Sequence, residues 1–400
     1  MPCGCFGGYG CGVKSGIPAL LAALVACLLA ACGKPSAPAA PEAPPPPPRE
    51  KGVPVGVLLP ISGAQSAFGR SALAGMRLAV AGWNDAGGIA GKPVDLIVRD
   101  TESNPEIAAR AVRELVVDEK VIAVLGEIAS ESSMKAAPVA AELGVPMISP
   151  GSTHADLTRA GPGIFRICYA DPFQVRVMSK FASSIGVTVA AILYDPNDDY
   201  SSGLAGAFEK DFIERGGKIS AKATYRRGSG DFTAALQAIK AAQPEVIFLP
   251  AYFAEAAEII RQARPLGIDQ PFIGTDAWES QEFLAAGGEA VNNSYFASHF
   301  AADEPSEKTS AFVNAYRTAN GGDPLALAAL GYDAVNFLAD GIRRAGTTEP
   351  GALQSALAST AGFDGVTGTI TLDADRNPSK PAIVLRVSDG KFHYLETIAP

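Results

Sequence analysis

Cysteine is nearly absent from the body of this 400-residue chain. All but one of the six cysteines lie within the first 32 residues, and Cys168 is the exception. This distribution excludes a disulfide framework and a metal site built on paired cysteines. Histidine is scarce as well: the three histidines, His154, His299 and His393, are too far apart to indicate a metal site or a catalytic triad.

The chain also lacks an excess of positive charge, since its formal net charge is -9 and no block of lysine and arginine occurs. Proteins that bind nucleic acid present a basic face to the phosphates, so this balance argues against a nucleic-acid partner. Catalytic motifs are missing too: there is no G-x-S-x-G elbow, no H-E-x-x-H pair and no dinucleotide fingerprint after the first predicted strand. We therefore predict a protein that is not an enzyme and that holds neither a cofactor nor a metal ion.

The N-terminus has the features of an export signal. An apolar run of small residues, 17–31, follows Lys14 and is too short for a comfortable membrane span. The run ends in Leu-Ala-Ala-Cys at Cys32, which resembles a bacterial lipobox, where the signal is cleaved before the cysteine and the thiol is lipidated. Cys27 fits the same pattern, but apolar sequence continues beyond it, which favours Cys32. We predict a lipoprotein signal peptide over residues 1–31; an ordinary signal peptide and a membrane helix are the alternatives.

Residues 32–51 form the next distinct segment. They are rich in alanine and proline and include a run of consecutive prolines at 44–48. Polyproline II rises about 3.1 Å per residue, so such a spacer holds a domain roughly 50 Å from a membrane. We therefore predict a tether, with the protein on the periplasmic or cell-surface side of a bacterial membrane and attached to it only by the lipid.

From Val53 onward, short apolar runs alternate with amphipathic segments. Strands are predicted at 53–59, 94–99, 121–125, 145–148, 188–194, 219–225, 246–249 and 271–273. Helices are predicted between them, at 69–85, 105–118, 132–142, 172–185, 200–215, 232–242, 254–263 and 281–285. This alternation indicates parallel sheets that are covered by helices on both faces.

The alternation restarts near Asp171, after a crossover strand at 164–167, and changes again after Ala297. Three helices at 305–320, 325–345 and 351–359 are then followed by a hairpin-like region with strands at 368–372, 382–387 and 391–397. We expect an α/β protein with two doubly wound, Rossmann-like lobes that are joined by a hinge of several strands. Lobe 1 is predicted to comprise residues 52–170 and 298–368, and lobe 2 residues 171–297 and 369–400.

Polar turns follow two neighbouring strands of the first predicted lobe. Ser130 stands after the strand that ends near Gly126, and the next strand breaks into SPGST at 149–153. In an open parallel sheet, ligands bind outside the carboxyl ends of the strands, where both turns lie. The free N–H groups at the start of a helix attract a carboxylate, so Ser130 is a candidate contact. The alternative is that Ser130 is only an N-cap and that 149–151 is only a turn.

With these features together, the chain resembles the leucine/isoleucine/valine-binding family, the periplasmic solute-binding proteins of branched-chain amino-acid ABC transporters. The resemblance covers Val53 to the C-terminus and rests on four ordered landmarks: LPISG at 59–63, NDAGGI at 84–89, MISPG at 147–151, and RQAR at 261–264 followed by Gly267. It implies the type I periplasmic binding fold, capture of an amino acid between two lobes, delivery to an ABC transporter permease, and a monomer.

The resemblance also implies how the two charged ends of the amino acid are held. In the family, a serine hydroxyl, backbone N–H groups and a threonine bind the α-carboxylate; Ser130, the main chain of Gly151 and Thr153 match these positions. Asp276 matches the acidic residue that meets the α-ammonium from the second lobe. Charge-assisted hydrogen bonds of this kind are the strong ones. The alternative for Asp276 is an N-cap before Gln281.

Three aromatic residues are implied as walls of the side-chain pocket. Phe68 matches the aromatic residue of the first loop, and Tyr200 and Tyr252 match two tyrosines that face it from the second lobe. Aromatic walls supply a dry pocket for an apolar side chain. The alternative for each of them is ordinary packing in the core or at the surface.

Two departures from the family pattern leave the ligand open. The first lobe has Ser103 and Ala129 where branched-chain members often have a disulfide, which a domain of this size does not need. Glu127 and Glu131 stand where neutral residues or a histidine are more usual. Either both are solvated, or one faces the pocket and meets an extra amine or hydroxyl of the ligand. The alternatives in function are a binding module or a sensor for a short amide, urea or an aromatic acid.

Replacing Cys32 by serine removes the thiol that the lipid would modify. Cys32→Ser is therefore expected to release the protein from membranes or to leave the signal uncleaved, as measured by membrane fractionation and by the mass of the mature chain. Cys27→Ser is the matched control and is expected to leave both unchanged. Release by Cys27→Ser but not by Cys32→Ser would show that the cleavage site is misassigned.

Overall fold

Two largely parallel sheets with helices packed against them make up the part of the chain that the computed structural model describes, residues 52–400. The predicted signal peptide, the tether and Cys32 lie outside these residues. The prediction of an α/β protein with two doubly wound lobes is confirmed. Lobe 1 here denotes the first sheet and the helices on it, and lobe 2 the second sheet and its helices.

The sheet of lobe 1 has five parallel strands in the order 2-1-3-4-5. The strands are β1 (Val53–Leu59), β2 (Val94–Asp100), β3 (Val124–Gly126), β4 (Met147–Ser149) and β5 (Ile164–Arg166), with helices α1 (Ser66–Asp85), α2 (Pro105–Val117) and α3 (Ser130–Glu142) between them. Successive side chains of β1 enter opposite cores: Val57 belongs to the apolar cluster of α1, and Leu58 to that of α2 and α3. A strand that is buried on both faces is apolar throughout, as β1 is.

The sheet of lobe 2 has seven strands in the order 15-14-10-9-8-6-7. The parallel strands are β6 (Val189–Tyr194), β7 (Lys218–Thr224), β8 (Val246–Phe248), β9 (Phe272–Gly274) and β10 (Ser294–Ser298). The helices are α4 (Asp171–Ser184), α5 (Asp199–Glu214), α6 (Thr233–Ala241), α7 (Phe253–Ala263) and α8 (Gln281–Gly287). In both sheets the strand order reverses at one point, between β1 and β3 and between β6 and β8, which is where such sheets bind ligands.

Strand β10 is absent from the sequence prediction, which places the end of the strand-helix pattern at Ala297. Its sequence, SYFAS, begins and ends with serine, so the apolar run is too short to indicate a strand. Both serines are nevertheless fully buried, because β10 lies between β9 and the antiparallel strand β14 (Ala382–Ser388). Pairing with strands that are distant in sequence therefore determines this element.

The C-terminal region departs from the predicted single hairpin-like region. Strand β14 and strand β15 (Lys391–Ile398) form the hairpin, with Asp389 and Gly390 both at positive φ as a two-residue turn requires. Strand β12 (Gly368–Leu372) instead joins a separate small sheet with β11 (Phe363–Gly365) and β13 (Pro378–Ser379). It follows the helices α9 (Glu307–Asn320), α10 (Ala326–Ala345) and α11 (Pro350–Ala358). The residue bounds of the two lobes remain a prediction.

No helix within residues 52–400 combines the length and the apolar character needed to cross a membrane. The longest, α1 and α10, pack against each other. They approach so closely that a Cβ at Gly75 would lie 1.8 Å from the carbonyl oxygen of Ala328, and one at Gly331 would lie 2.2 Å from that of Ala72. Backbone therefore meets backbone at this crossing, and α10 is fixed on lobe 1.

Gly75→Ala is expected to destabilise the protein by at least about 2 kcal/mol, because a methyl group at this position overlaps the backbone of α10. Urea denaturation measures the change in the free energy of unfolding. Gly82→Ala in the same helix is the matched control, since nothing lies within 4 Å of a Cβ there. It is expected to stabilise the helix by about 0.5–1 kcal/mol. Equal effects of the two substitutions would contradict the close approach.

Candidate functional site

The carboxyl ends of strands from both lobes meet at one cavity. The space between its atoms, including a part that is open to solvent, is about 450 Å³. All seven residues that the resemblance implies line this cavity: Phe68, Ser130, Gly151, Thr153, Tyr200, Tyr252 and Asp276. They come from segments that are far apart in sequence, so the fold brings them together. Their contacts with a ligand remain predictions.

On the lobe 1 side, hydrogen-bond donors lie at the ends of β3 and β4. Ser130 is the first residue of α3 and is buried; Ala129 occupies the N-cap position and no side chain caps this helix, so the expectation that Ser130 is an N-cap is wrong. The first N–H groups of a helix have no intrahelical acceptor, so donors stand beside the Ser130 hydroxyl. The Ser149 hydroxyl joins the two turns, since it donates to the carbonyl oxygen of Glu127 at 2.5 Å and accepts from the N–H of Ser152 at 2.9 Å.

Gly151 and Thr153 line the cavity in the turn after β4. A Cβ at Gly151 would lie 2.8 Å from Cδ2 of Leu327 and 2.9 Å from Cγ2 of Ile128, so glycine keeps the main chain next to the cavity. Thr153 is almost completely buried, and its carbonyl oxygen accepts a hydrogen bond from the N–H of Asp171 at 2.8 Å. This hydrogen bond joins the turn after β4 to the first residue of α4.

On the lobe 2 side, Asp276 is held from three directions. Its Oδ1 lies 3.0 Å from the hydroxyl of Tyr200, and its Oδ2 lies 3.1 Å from Nε2 of His299. Its backbone N–H donates to Oε1 of Gln174 at 2.8 Å. The alternative that Asp276 caps helix α8 is wrong, because Ser280 is the cap and accepts from the N–H of Phe283 at 3.0 Å.

Aromatic rings close the cavity from both lobes. Tyr200 and Tyr252 stack with their centroids 5.1 Å apart. Phe68, at the start of α1 in lobe 1, lies 6.4 Å from Tyr252 and 5.1 Å edge-on from Phe253. The guanidinium of Arg227 lies 4.5 Å above the ring of Tyr252. The rings therefore do more than fill a core, because they form the contact between the lobes at the cavity.

Two ionisable residues of the cavity wall are absent from the sequence prediction, Glu279 and His299. Glu279 accepts hydrogen bonds from the N–H of Ala326 at 2.7 Å and from the Ser298 hydroxyl, and burial raises the pKa of its carboxyl to about 7. Burial lowers the pKa of His299 to about 4. His299 follows β10, the strand that the sequence pattern does not indicate, and Glu279 follows a short 3-10 turn, so neither position has a local signal.

Neither Glu127 nor Glu131 lines this cavity. Glu127 is fully buried, which excludes the solvated alternative for it, and its carboxylate accepts from the Thr101 hydroxyl at 2.7 Å and from the N–H groups of Ile128 and Ala129 at 2.5 and 2.7 Å. Glu131 is exposed in the first turn of α3 and lines a neighbouring groove at the mouth of the cavity. The extra carboxylate that does reach the cavity is Glu279.

Neither a metal-binding cluster nor a disulfide occurs within residues 52–400. Within residues 52–400, no three His, Cys, Asp or Glu side chains are grouped so that they would hold a metal ion. Ser103, at the position where the resemblance implies a disulfide cysteine, accepts from the N–H of Gln65 at 3.0 Å and donates to the carbonyl oxygen of Ser62 at 3.0 Å. Hydrogen bonds to the first loop therefore fix this position.

Comparison with known proteins identifies this two-lobed architecture. A family model described as periplasmic binding protein matches residues 52–391. This chain belongs to the periplasmic binding protein family. A relative from Brucella abortus, Leu/Ile/Val-binding protein homolog 2, is 31% identical over 349 residues, which is 86% of this chain and 93% of the relative.

Solved structures agree with this assignment. LivJ from Streptococcus pneumoniae, a branched-chain amino acid transporter substrate binding protein in complex with isoleucine, is 34% identical with a TM-score of 0.83, over 88% of this chain and 100% of LivJ. A solute binding protein from R. palustris in complex with benzoate is 25% identical with a TM-score of 0.79, over 88% of this chain and 97% of that chain.

The resemblance to the leucine/isoleucine/valine-binding family and the type I periplasmic binding fold are therefore confirmed. This chain is a periplasmic binding protein of the branched-chain amino acid transporter family. Members of that family bind small molecules such as amino acids and work with ABC transporter permeases; they are not enzymes.

The burial of Glu127 in this periplasmic binding protein has a measurable effect on stability. Burial raises the pKa of Glu127 to about 7, although the hydrogen bond from Thr101 acts in the opposite direction. The folded state therefore binds more protons than the unfolded chain between about pH 4.5 and 7, and stability decreases as pH rises through this window. Glu127→Gln removes this group, so the free energy of unfolding is expected to decrease less steeply with pH, by up to about 1.4 kcal/mol per pH unit.

Urea denaturation between pH 4.5 and 7.5 measures this slope for the native protein and for Glu127→Gln. The substitution keeps the shape of the side chain, and the Thr101 hydroxyl can turn to accept from the new amide. Glu131→Gln, which removes an exposed carboxyl in the first turn of the helix that follows Glu127, is the control and is expected to change the slope less. Identical slopes in the native protein and in Glu127→Gln would contradict the prediction.

Proposed function

We propose that this periplasmic binding protein captures a neutral amino acid, branched-chain or other, in the cavity between its lobes and delivers it to an ABC transporter permease. The observation that supports this most is the chemistry of the two facing walls. Asp276 places a carboxylate on the lobe 2 wall, and Ser130, Gly151 and Thr153 place donors on the lobe 1 wall. A zwitterion needs both, because each of its charges loses water in a closed cleft.

Asp276 is the proposed partner of the α-ammonium. A carboxylate accepts about four hydrogen bonds, and the contacts with Tyr200 and His299 account for one on each oxygen. One acceptor position on each oxygen is then left for the ligand. An ammonium that is enclosed in a cleft must be paired, so this carboxylate is what makes the cavity suitable for an amino acid.

The proposed side-chain pocket is apolar. Ile128 and Leu327 line the cavity together with the rings of Phe68, Tyr200 and Tyr252. Burying an aliphatic side chain against such walls contributes roughly 1.5–3 kcal/mol. The apolar lining favours a neutral, branched or otherwise aliphatic side chain.

Closure of the two lobes around the ligand is the proposed mechanism. Phe68 of lobe 1 contacts Phe253 of lobe 2, and Arg70 of α1 lies 3.5 Å from Glu282 of α8. Both contacts join the lobes beside the cavity, so they form when the cleft is closed. The hinge is proposed to lie between the predicted ranges 52–170 and 298–368 on one side and 171–297 and 369–400 on the other.

The location of the protein is part of the same proposal. Cleavage before Cys32 and lipidation of its thiol would anchor the chain to a bacterial membrane, and residues 32–51 would act as the tether. The protein would face the periplasm or the cell surface as a monomer. Attachment by the lipid alone leaves the lobes free to meet a permease.

A second candidate ligand is an aromatic acid. The R. palustris protein that is similar to this chain was solved in complex with benzoate, which has a carboxylate and no ammonium. The lobe 1 wall suits such a ligand as well as an amino acid. The two candidates differ at Asp276, because a ligand without an ammonium leaves this carboxylate without a cation from the ligand.

Asp276→Asn is expected to abolish the preference for an amino acid. The side chain keeps its shape and loses its charge, and breaking a buried ion pair costs about 3–5 kcal/mol. That is at least about a hundred-fold in the dissociation constant of isoleucine. Calorimetry with isoleucine, with its des-amino analogue 3-methylpentanoate and with benzoate measures the preference in both proteins.

Asp199→Asn is the matched control, since Asp199 lies at the exposed mouth of the cavity and not in it. It is expected to leave the affinity for isoleucine within about three-fold of the native value. Tight binding of benzoate by the native protein, with no binding of isoleucine, would favour the aromatic acid instead. Native affinity for isoleucine in Asp276→Asn would refute the role of Asp276.

A further inference from the structure

His299 is a buried histidine on the cavity wall to which the resemblance assigns no role. It is 2% exposed, and its ring stacks on Tyr169 with the centroids 3.7 Å apart and the planes 28° apart. Its Nε2 lies 3.1 Å from Oδ2 of Asp276. The stacked ring and the polar contact together fix the orientation of the imidazole next to the proposed ammonium site.

The contact with Asp276 determines which ring nitrogen carries the hydrogen. An ionised carboxylate only accepts hydrogen bonds, so Nε2 of His299 must be the donor, and Nδ1 is then a bare acceptor. Burial lowers the pKa of His299 to about 4, and the nearby ammonium of Lys380 acts in the same direction, so the ring is neutral at pH 7. A neutral ring donates to Asp276 without cancelling the charge that a ligand ammonium would meet.

Nδ1 of His299 has no hydrogen-bond partner among the residues that the structure describes. A buried polar atom without a partner lowers stability, and a phenylalanine would stack on Tyr169 without that cost. Packing alone would therefore favour phenylalanine over histidine at this position. Among residues 52–400, the single polar contact of the ring is the one with Asp276, which indicates that the contact is what the histidine provides.

We infer that His299 positions the Asp276 carboxylate for the ammonium of the ligand, so that the preference for an amino acid over its des-amino analogue depends on the Nε2–H donor of His299. This inference rests on the function proposed above. Donors from Tyr200 on Oδ1 and from His299 on Oδ2 hold the carboxylate in one orientation. Without the donor on Oδ2, the carboxylate turns away, and the ammonium loses its partner.

His299→Phe and His299→Gln separate this role from packing. Phenylalanine keeps the stack on Tyr169 and lacks the donor, whereas the amide of glutamine reaches about as far as Nε2 and restores a donor. In calorimetry with isoleucine and 3-methylpentanoate, we expect the ratio of their dissociation constants to fall at least ten-fold in His299→Phe. In His299→Gln we expect the ratio to stay within about three-fold of the native value. Thermal unfolding of His299→Phe is expected at the native temperature or above.

His393→Phe is the matched control. His393, in the C-terminal hairpin, lies 3.6 Å from Asp303, so the two form a second histidine-aspartate pair, and neither residue lines the cavity. This substitution is expected to leave the ligand preference unchanged. An equal loss of affinity for both ligands in His299→Phe, together with a lower unfolding temperature, would assign His299 to packing and overturn the inference.

The inference and the proposed function fail in different ways. If the native protein prefers isoleucine and His299→Phe retains that preference, the inference alone is wrong. If the native protein binds both ligands equally, both are wrong. Nitrogen NMR of the histidine rings gives an independent reading: the signal that His299→Gln removes should have the Nε2–H tautomer, and an Nδ1–H tautomer there would overturn the inference without any binding measurement.

Discussion

Holding the Asp276 carboxylate in one orientation at the cavity wall is the constraint on which the arrangement around the cavity depends. Its carboxylate contacts Tyr200 on α5 and His299 after β10, and its backbone N–H donates to Gln174 on α4. A charge in a dry site is costly unless hydrogen bonds replace its hydration. Each of these elements must therefore be correctly placed on the lobe 2 sheet before the carboxylate is held in this orientation.

The topology of the two sheets explains why such a site forms at all. Both have the same strand order at their centre, 2-1-3-4-5 in lobe 1 and 7-6-8-9-10 in lobe 2, so each has a point where its carboxyl-end loops separate. Loops from β3 and β4 bring Ser130 and Thr153 to one wall, and the loop after β9 brings Asp276 to the other. The fold provides the cleft, and a few side chains in these loops determine what it can hold.

How much of this can be predicted from the sequence depends on whether the signal is local. Strand β1 is predicted with its observed bounds, because apolar runs between turn residues are a local pattern. The sequence also predicts the seven residues of the binding site that line the cavity, because the ordered landmarks of the family show which loops these residues occupy. The strand β10 and the wall residues Glu279 and His299 could not be predicted, because their positions depend on pairing and packing between segments that are distant in sequence.

The carboxylates near the cavity differ in where their hydrogen bonds come from, and this separates structural charges from a charge that is available to a ligand. Glu127 accepts from its own loop and from Thr101, which shapes the turn that leads to Ser130. Glu279 accepts from Ser298 in lobe 2 and from the N–H that begins α10, a helix fixed on lobe 1, so it joins the lobes at the wall of the cavity. Burial raises the pKa of both carboxyl groups to about 7, so each is only partly ionised at neutral pH. Asp276 instead receives single donors on opposite oxygens and keeps acceptor positions open, as a partner for an ammonium must.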